Sequence, residues 1–435
     1  MGTLFQPVDW SRNATVYEVN LRQYTSNGDL QSFQTHLPRL AKMGVSILWF
    51  MPLTPISIKN RKGSLGSYYA CSSYTRINPD YGVEDDFVQI VRLAHSLGMK
   101  VIVDWVANHT GADHEWTISN PDFYKKNEAG EFYDAHGWDD VIDLDYSNLA
   151  LRKEMIQCMR YWIERYEIDG FRCDMAMLTP VDFWREARSV LQSVKELFWL
   201  AELDPLDNPE YMDVFDSAYT WRWMNACQKF KEGGAGDIAP LIHTLSLYNQ
   251  VIHPNFLPAW FTSNHDENTW NGTEFEKYGE MALPLTIFSA TFKGIHLIYS
   301  GQEIPNPKRL RFFDKDPIEW PDTPQWQALF SSLSKLRFQH KAFASSDSTT
   351  QCKLIRNSVG HHILSFTRKS KQDEVLVLIN FSGYALNWVE IELDGLEGEY
   401  TEWFTRESRY FNGVHHAYQI PEWGSQVWIK KRADF

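Results

Sequence analysis

The chain has 435 residues, 43% hydrophobic and 23% charged, the balance of a folded protein of two or three units rather than a disordered one. Its net charge of −14 argues against nucleic acid or an anionic membrane as a main partner, since both select a basic face. No apolar run approaches the length that spans a bilayer, and the start "MGTLFQPVDWSRNATVYEVN" lacks a signal peptide's basic and apolar stretches; a cytoplasmic location is expected, or a periplasmic or secreted one if a leader has been removed.

From Val16 to His340 the pattern alternates strands with helices. Strand-like runs read, in order, "VYEVN", "VSILWF", "KVIVDWV", "IDGFRCD", "LFWLAE", "VFDSAY", "PAWFTS" and "IHLIYS". Between the second and third lies the helical stretch "EDDFVQIVRLAHSLG". There Phe87, Ile90, Val91, Ala94 and Leu97 share one face, acids fill the first turn, and Gly98 is placed to end it. "LALRKEMIQCMRYWIERYE" is a second helix, and between the sixth and seventh strands no single helix stands out. Alternating strands and helices predict a parallel sheet, and eight strands close a barrel. After the third strand comes a connection of about forty residues, a length that is usually functional. It reads as a small subdomain, residues 109–147, inserted into a barrel of residues 1–108 and 148–345. Its aromatics, Trp116, Phe123, Tyr124, Phe132, Tyr133 and Trp138, are expected to form mostly the insert's own core. Over residues 346–435, "HHILSFTR", "EVLVLINFS", "NWVEIEL", "YTEWF" and "SQVWIKK" are period-two runs between turns. The predicted fold is α/β: a (β/α)8 TIM barrel with an inserted subdomain after strand 3 and a C-terminal antiparallel β-sandwich. The five cysteines have no CxxC spacing, so buried reduced thiols are expected and a zinc site is not.

In such a barrel, active sites lie at the C-terminal ends of the strands. The third strand delivers Asp104, Asn108 and His109; the fourth, Arg172 and Asp174; the fifth, Glu202; the seventh, Asn264, His265 and Asp266; the eighth, Gln302 and Glu303. A single acid after a strand more often caps a helix or sits in solvent, but five strands at once point to one polar mouth. Strand parity puts Arg172 and Asp174 on one face and Phe171 and Cys173 on the other. The charged pair then faces the mouth, with the arginine expected to hold the aspartate ionised. The chain also holds 18 Trp. Most are expected in packing, a few in stacking on the flat faces of sugar rings. Converging carboxylates and aromatics together point to glycoside hydrolysis, which needs one ionised carboxylate and one proton donor across a sugar C–O bond.

"DWVANHT", "GFRCD", "AELD" and "SNHDEN", in this order, resemble the four sequence regions of the α-amylase family of retaining α-glucan enzymes. "GSYYACSSYTRINPDYG" and "YSGQE" are similar too, and "SNHDENTWNGTEFE" with "KRLRFFDKDPIEW" is most like its bacterial and archaeal α-amylase branch. The resemblance implies that Asp174 is the nucleophile, Glu202 the acid and then base, and Asp266 the third acid that holds sugar hydroxyls. It implies that Arg172, His109 and His265 contact the sugar at the cut, that Tyr69 is the aromatic on which this sugar stacks, and that Asp104 supports Arg172 or binds substrate. The family often holds a structural calcium ion between barrel and insert, and Asn108 and Asp143 match two of its ligand positions; whether they bind an ion or brace a loop stays open. No organic cofactor is implied. Two departures stand out. Met177 and Leu178 stand where many relatives have Lys and His, and Ser73 replaces an Asp that often precedes the tyrosine of the "SYT" element.

The expected activity is therefore retaining hydrolysis of α-1,4-glucosidic bonds in starch, maltodextrins or related α-glucans. An α-glucosidase or 4-α-glucanotransferase using the same acids is the alternative. A non-catalytic sugar-binding protein is disfavoured because all three acids are present. Endo or exo action and the oligomeric state are not set by these motifs.

Overall fold

Strands that are apolar on both parities need cover on both faces. In the computed structural model, which describes residues 5–345, 349–393, 395–413 and 415–430, they have it. Eight parallel strands close a barrel in chain order: Thr15–Val19, Ile47–Phe50, Lys100–Trp105, Gly170–Cys173, Phe198–Ala201, Ser217–Tyr219, Leu257–Trp260 and Ile295–Tyr299. The first pairs with both the second and the eighth. The expected TIM barrel is thus present. One parity, with Leu48, Val103, Phe171 and Trp199, packs under helices through Phe87, Trp162 and Trp184. The other, with Val16, Trp49, Ile102 and Leu200, fills the interior. Gly170 opens the fourth strand at φ +156, where a Cβ would fall 2.0 Å from the Phe198 carbonyl oxygen. Only glycine lets the fourth and fifth strands approach this closely.

The helix predicted from residue 84 spans Glu84–Ser96, with the Asp86 carboxylate accepting the Val83 N–H at 2.9 Å. Phe87, Ile90, Val91 and Ala94 are buried as expected, but Leu97 is 36% exposed. The chain leaves the helix there and turns at Gly98, φ +82, so Leu97 never joins the apolar face. The second predicted helix is Leu149–Tyr166, begun by Asn148, whose side chain accepts the Ala150 and Leu151 N–H groups. Between the sixth and seventh strands lie two helices, Trp221–Glu232 and Ala239–Val251, separated by Gly233 and Gly234. That break is why no single helical period shows.

In the inserted region His109–Gly111 pairs antiparallel with Val141–Asp143. Trp116, Phe123 and Tyr124 are buried together, whereas Tyr133 is exposed and Trp138 turns away to line the cleft. The C-terminal strands form a six-stranded antiparallel sheet (Gln351–Leu354, Ile363–Lys369, Glu374–Asn380, Ser425–Lys430, Glu397–Glu402, Ser408–Asn412, in that order) facing a pair, Leu386–Glu392 with His415–Ile420. The first, the sixth and His415–Ile420 escaped sequence reading because they are short and rich in polar residues. The period-two reading fails at Glu374–Asn380, which is buried from Val375 onward. Leu376 and Leu378 pack toward Val389 and Ile391 of the pair. Val375 and Val377 instead join Phe366, Phe288 and Phe292 on the barrel side, so both faces of the sheet are covered. Residue 346, where this domain was expected to begin, and residues 1 and 435 lie outside the described residues. Among those described, no helix is long and apolar enough to cross a membrane, and the five cysteines are free thiols, four of them buried.

Candidate active site

The mouth is organised by Arg172, which is fully buried. Register places it beside Asp104 of the third strand and Leu200 of the fifth, on the interior parity. Its Nη1 donates to Asp104 Oδ1 and Asp174 Oδ1, both at 2.9 Å. Its Nη2 lies 2.9 Å from Glu202 Oε2, an ion-pair contact without hydrogen-bond alignment. One guanidinium therefore meets three carboxylates from three strands. Glu202 Oε2 also accepts the Met175 N–H at 2.8 Å, made possible by a left-handed Met175 at φ 37. On the far side of the pocket His265 Nδ1 sits 2.5 Å from Glu18 Oε1, and its Nε2 is 2.7 Å from the Tyr69 hydroxyl and 3.3 Å from Asp266 Oδ2. Tyr69 donates to Asp104 Oδ2 at 3.1 Å, which links the two halves. Asp174, Glu202, Asp266, Tyr69 and His109 all line one cavity of about 410 Å³.

Burial pushes the Asp174 carboxyl up to about 6 and Asp104 to about 6, while Arg172 pulls both down without cancelling the effect. Burial thus opposes Arg172 at Asp174 and lifts its carboxyl above the ordinary range, while still leaving it ionised at neutral pH. Burial raises Glu202 further, to about 7, with Arg172 opposing and Asp174 adding to the rise. Asp266 goes the other way. Burial raises it, but His265 outweighs that and holds it below the ordinary carboxylate range. Burial would lower His265, yet Asp266 and Glu18 lift it well above an ordinary imidazole, so it is a cation. Burial lowers His109 to about 4 and leaves it neutral. Two neighbouring carboxyls with separated pKa values, one ionised first and one keeping its proton longer, can supply a nucleophile and an acid.

A family model described as "Alpha amylase, catalytic domain" matches residues 10–137 and 123–347. The chain belongs to the α-amylase family. It is 27% identical over 362 residues to Alpha-amylase 3 of Dictyoglomus thermophilum, covering 72% of this chain and 68% of that one. It is 24% identical over 387 residues to Alpha-amylase MalA of Haloarcula japonica, with 86% of this chain matched but only 56% of the relative's length. Cyclomaltodextrinases and a maltosyltransferase also match. Among solved structures, a noncanonic maltogenic α-amylase, AmyB of Thermotoga neapolitana, superposes with TM-score 0.86 at 27% identity, over 97% of this chain and 99% of that one. This α-amylase-type glycoside hydrolase therefore has the family's barrel and its tail sheets.

Several of its site residues were not read from sequence. Glu18, from the first strand, holds His265. Tyr219, from the sixth, meets Arg172 Nε at 3.3 Å. The signal for Glu18 was there: an acid inside the fully buried strand "TVYEV", on the same logic as Arg172. Trp270, on the π-helical turn Glu267–Asn271, and Phe312 and Phe313, on irregular backbone, line the cavity, and Trp270 Nε1 donates to Asp266 Oδ1 at 3.2 Å. Met177 and Leu178 sit in a short 3-10 turn just past Asp174, half-buried.

For a metal, the residues present are partly suited. Asp143 is fully buried; its Oδ2 takes Lys125 Nζ at 3.0 Å, and its Oδ1 has no hydrogen-bond donor. Asp134 Oδ1 is likewise buried and unpartnered, and with His136 these side chains offer ligand atoms within 4.8 Å of one another. Two orphaned carboxylate oxygens suit a hard cation such as calcium. Asn108, the other expected ligand, turns its side-chain Nδ2 toward His109 Nδ1 at 3.5 Å.

Proposed function

We propose that this protein is a retaining glycoside hydrolase that cleaves α-1,4-glucosidic bonds in starch, maltodextrins or related α-glucans by double displacement. The observation that carries the reading is the single guanidinium holding Asp174 and Glu202 together, with their carboxyls raised to different degrees. Asp174 attacks the anomeric carbon while Glu202 passes its proton to the leaving oxygen. Glu202, now ionised, takes a proton from water; the water oxygen bonds the anomeric carbon and the bond to Asp174 breaks. Asp266, the cationic His265 and the neutral His109 hold the sugar's hydroxyls, Tyr69 offers its ring to the same sugar, and Asp104 keeps Arg172 in place. Proton NMR of the first product from a maltodextrin is expected to show the α anomer; a β anomer would exclude the covalent route.

Activity should follow a bell in pH. The rate rises as Asp174 ionises near about 6 and falls as Glu202 loses its proton near about 7, so the kcat/KM optimum lies between them. A rate still climbing at about pH 8 removes Glu202 as the proton donor.

Met175 lines the cavity beside Glu202, and the 3-10 turn that follows carries Met177 and Leu178 in place of a Lys-His pair, which favours a second reading: a sugar hydroxyl replaces water, as in a 4-α-glucanotransferase, or a short chain leaves, as in an α-glucosidase. Products longer than the substrate decide for transfer. Calcium is proposed as a structural ion held by Asp143 and Asp134 with help from Asn108, where it would neutralise the buried carboxylates of the insert. Millimolar calcium is then expected to raise Tm, a chelator to lower it, and Asp143→Asn to abolish both shifts. A Tm indifferent to chelator and calcium removes the ion.

A further inference from the structure

The loop after the second strand, residues 57–66, does more than connect. Toward the insert, Lys62 Nζ lies 2.5 Å from Asp139 Oδ1 and 3.1 Å from Asp140 Oδ1, and Asn60 Nδ2 donates to the Asp139 carbonyl at 3.2 Å. The Ile58 and Lys59 N–H groups donate to Asp113 Oδ2 at 2.9 and 3.0 Å. Toward the segment after the eighth strand, Ser64 gives its N–H and hydroxyl to Asp314 Oδ1 at 2.9 and 2.7 Å, and the Leu65 N–H donates to the Phe313 carbonyl at 2.9 Å. Gly63, at φ +61, packs so closely that a Cβ would come 2.5 Å from Phe313 Cβ. One segment is thus pinned across the mouth at both flanks. Lys62, Asp140 and Phe313 face the same cavity as Asp174 and Glu202.

The side it occupies follows from topology. In the ring of eight, the second and eighth strands flank the first, and the first stands opposite the fifth, which carries Glu202. Glu202 protonates the leaving oxygen, so the departing chain lies on its side and the sugar that stays bonded to Asp174 extends the other way. In an α-1,4-glucan the leaving oxygen belongs to the sugar nearer the reducing end. The strap therefore stands where the chain's non-reducing end must lie.

We propose that residues 57–66, clasped by Lys62 to Asp139 and Asp140, close the non-reducing-end side of the cleft, so that the enzyme takes short α-glucans and chain ends and releases a short product of one length. This rests on the hydrolase reading above. The Lys62 contacts are partly exposed, with Lys62 at 36% and Asp139 at 83%, so the clasp adds little to global stability and can be opened without unfolding the barrel.

The test compares maltoheptaose with the same sugar carrying an ethylidene acetal on its non-reducing-end ring. The native enzyme is expected to cut the free sugar at least about tenfold faster than the blocked one, as a pocket that excludes added groups does. Lys62→Ala and Asp139→Ala, each with a native-like Tm, should narrow that ratio and add longer products. Equal rates on both sugars with the native enzyme overturn the strap while leaving the hydrolase reading intact. Folded variants that keep the native ratio and product pattern overturn the clasp. Failure to cut either sugar overturns the hydrolase reading itself, and the strap proposal with it. The native comparison alone decides the matter if a variant does not fold.

Discussion

Asp174→Asn is expected to lower turnover of a maltodextrin by about four orders of magnitude while the protein stays folded. The amide is nearly isosteric, but it cannot take the anomeric carbon as an ester. Stability should move the other way. Burial lifts this carboxyl from an ordinary 3.8 to about 6 in the folded chain. A carboxyl raised on folding binds its proton more tightly in the native state, so its contribution to stability falls as pH rises from about 4 to about 6, and the full cost applies at neutral pH. That cost is on the order of 3 kcal/mol, and the asparagine removes it. Arg172 keeps Asp104 as its partner. Single-turnover kinetics and a thermal melt at neutral pH check both halves: activity lost, Tm equal or higher. A variant that keeps most of its activity would move the nucleophile elsewhere.

Arg172→Met should do more damage to the fold than any other single change in the mouth. It leaves Asp104, Asp174 and Glu202 buried without the guanidinium that meets all three. Stranding buried charge in this way costs about 3–5 kcal/mol. Lysine is no substitute, because a point charge cannot reach three carboxylates from one planar fork. The deficit should also shrink on acidification. Without Arg172 the carboxyls rise further, so protonating them relieves the repulsion, and the Tm gap to the native enzyme narrows as pH falls from about 7 to about 5. A variant that melts with the native protein at neutral pH would mean that water, not the arginine, solvates these acids.

Both predictions lean on features visible in the chain before folding. The barrel was legible because its strands are short apolar runs and the long helices carry a clear period. Strand parity alone put Arg172 and Asp174 on the interior side. What escaped reading lies where periodicity ends. Trp270 reaches the cavity from a single π-helical turn, and Phe312 and Phe313 from irregular backbone whose path is set by contacts such as those of Arg22 Nη1 with the Gly66 and Phe312 carbonyls rather than by local pattern. Asp134 and His136 come beside Asp143 through loop contacts, the Asp143 N–H donating to the Tyr133 carbonyl at 3.0 Å and the Ala135 N–H to Asp143 Oδ2 at 3.3 Å. That one carboxyl of the mouth must carry a proton was anticipated as a need of the chemistry. That burial would also dominate at Asp174, against its arginine, required knowing how dry the mouth is.

The tail sheet, covered on both faces, has an evolutionary and practical consequence. Phe366, Val375 and Val377 on one side and Phe288 and Phe292 on the other form a single interlocked seam. A chain ended before the tail would bare that seam to water and gain a sticky patch instead of a smaller enzyme. Loops around the mouth lie off that seam and can change without baring it. The tail is free to drift only in step with the helix it rests on. It behaves less as an appended module than as an outer wall, inherited together with the barrel or not at all.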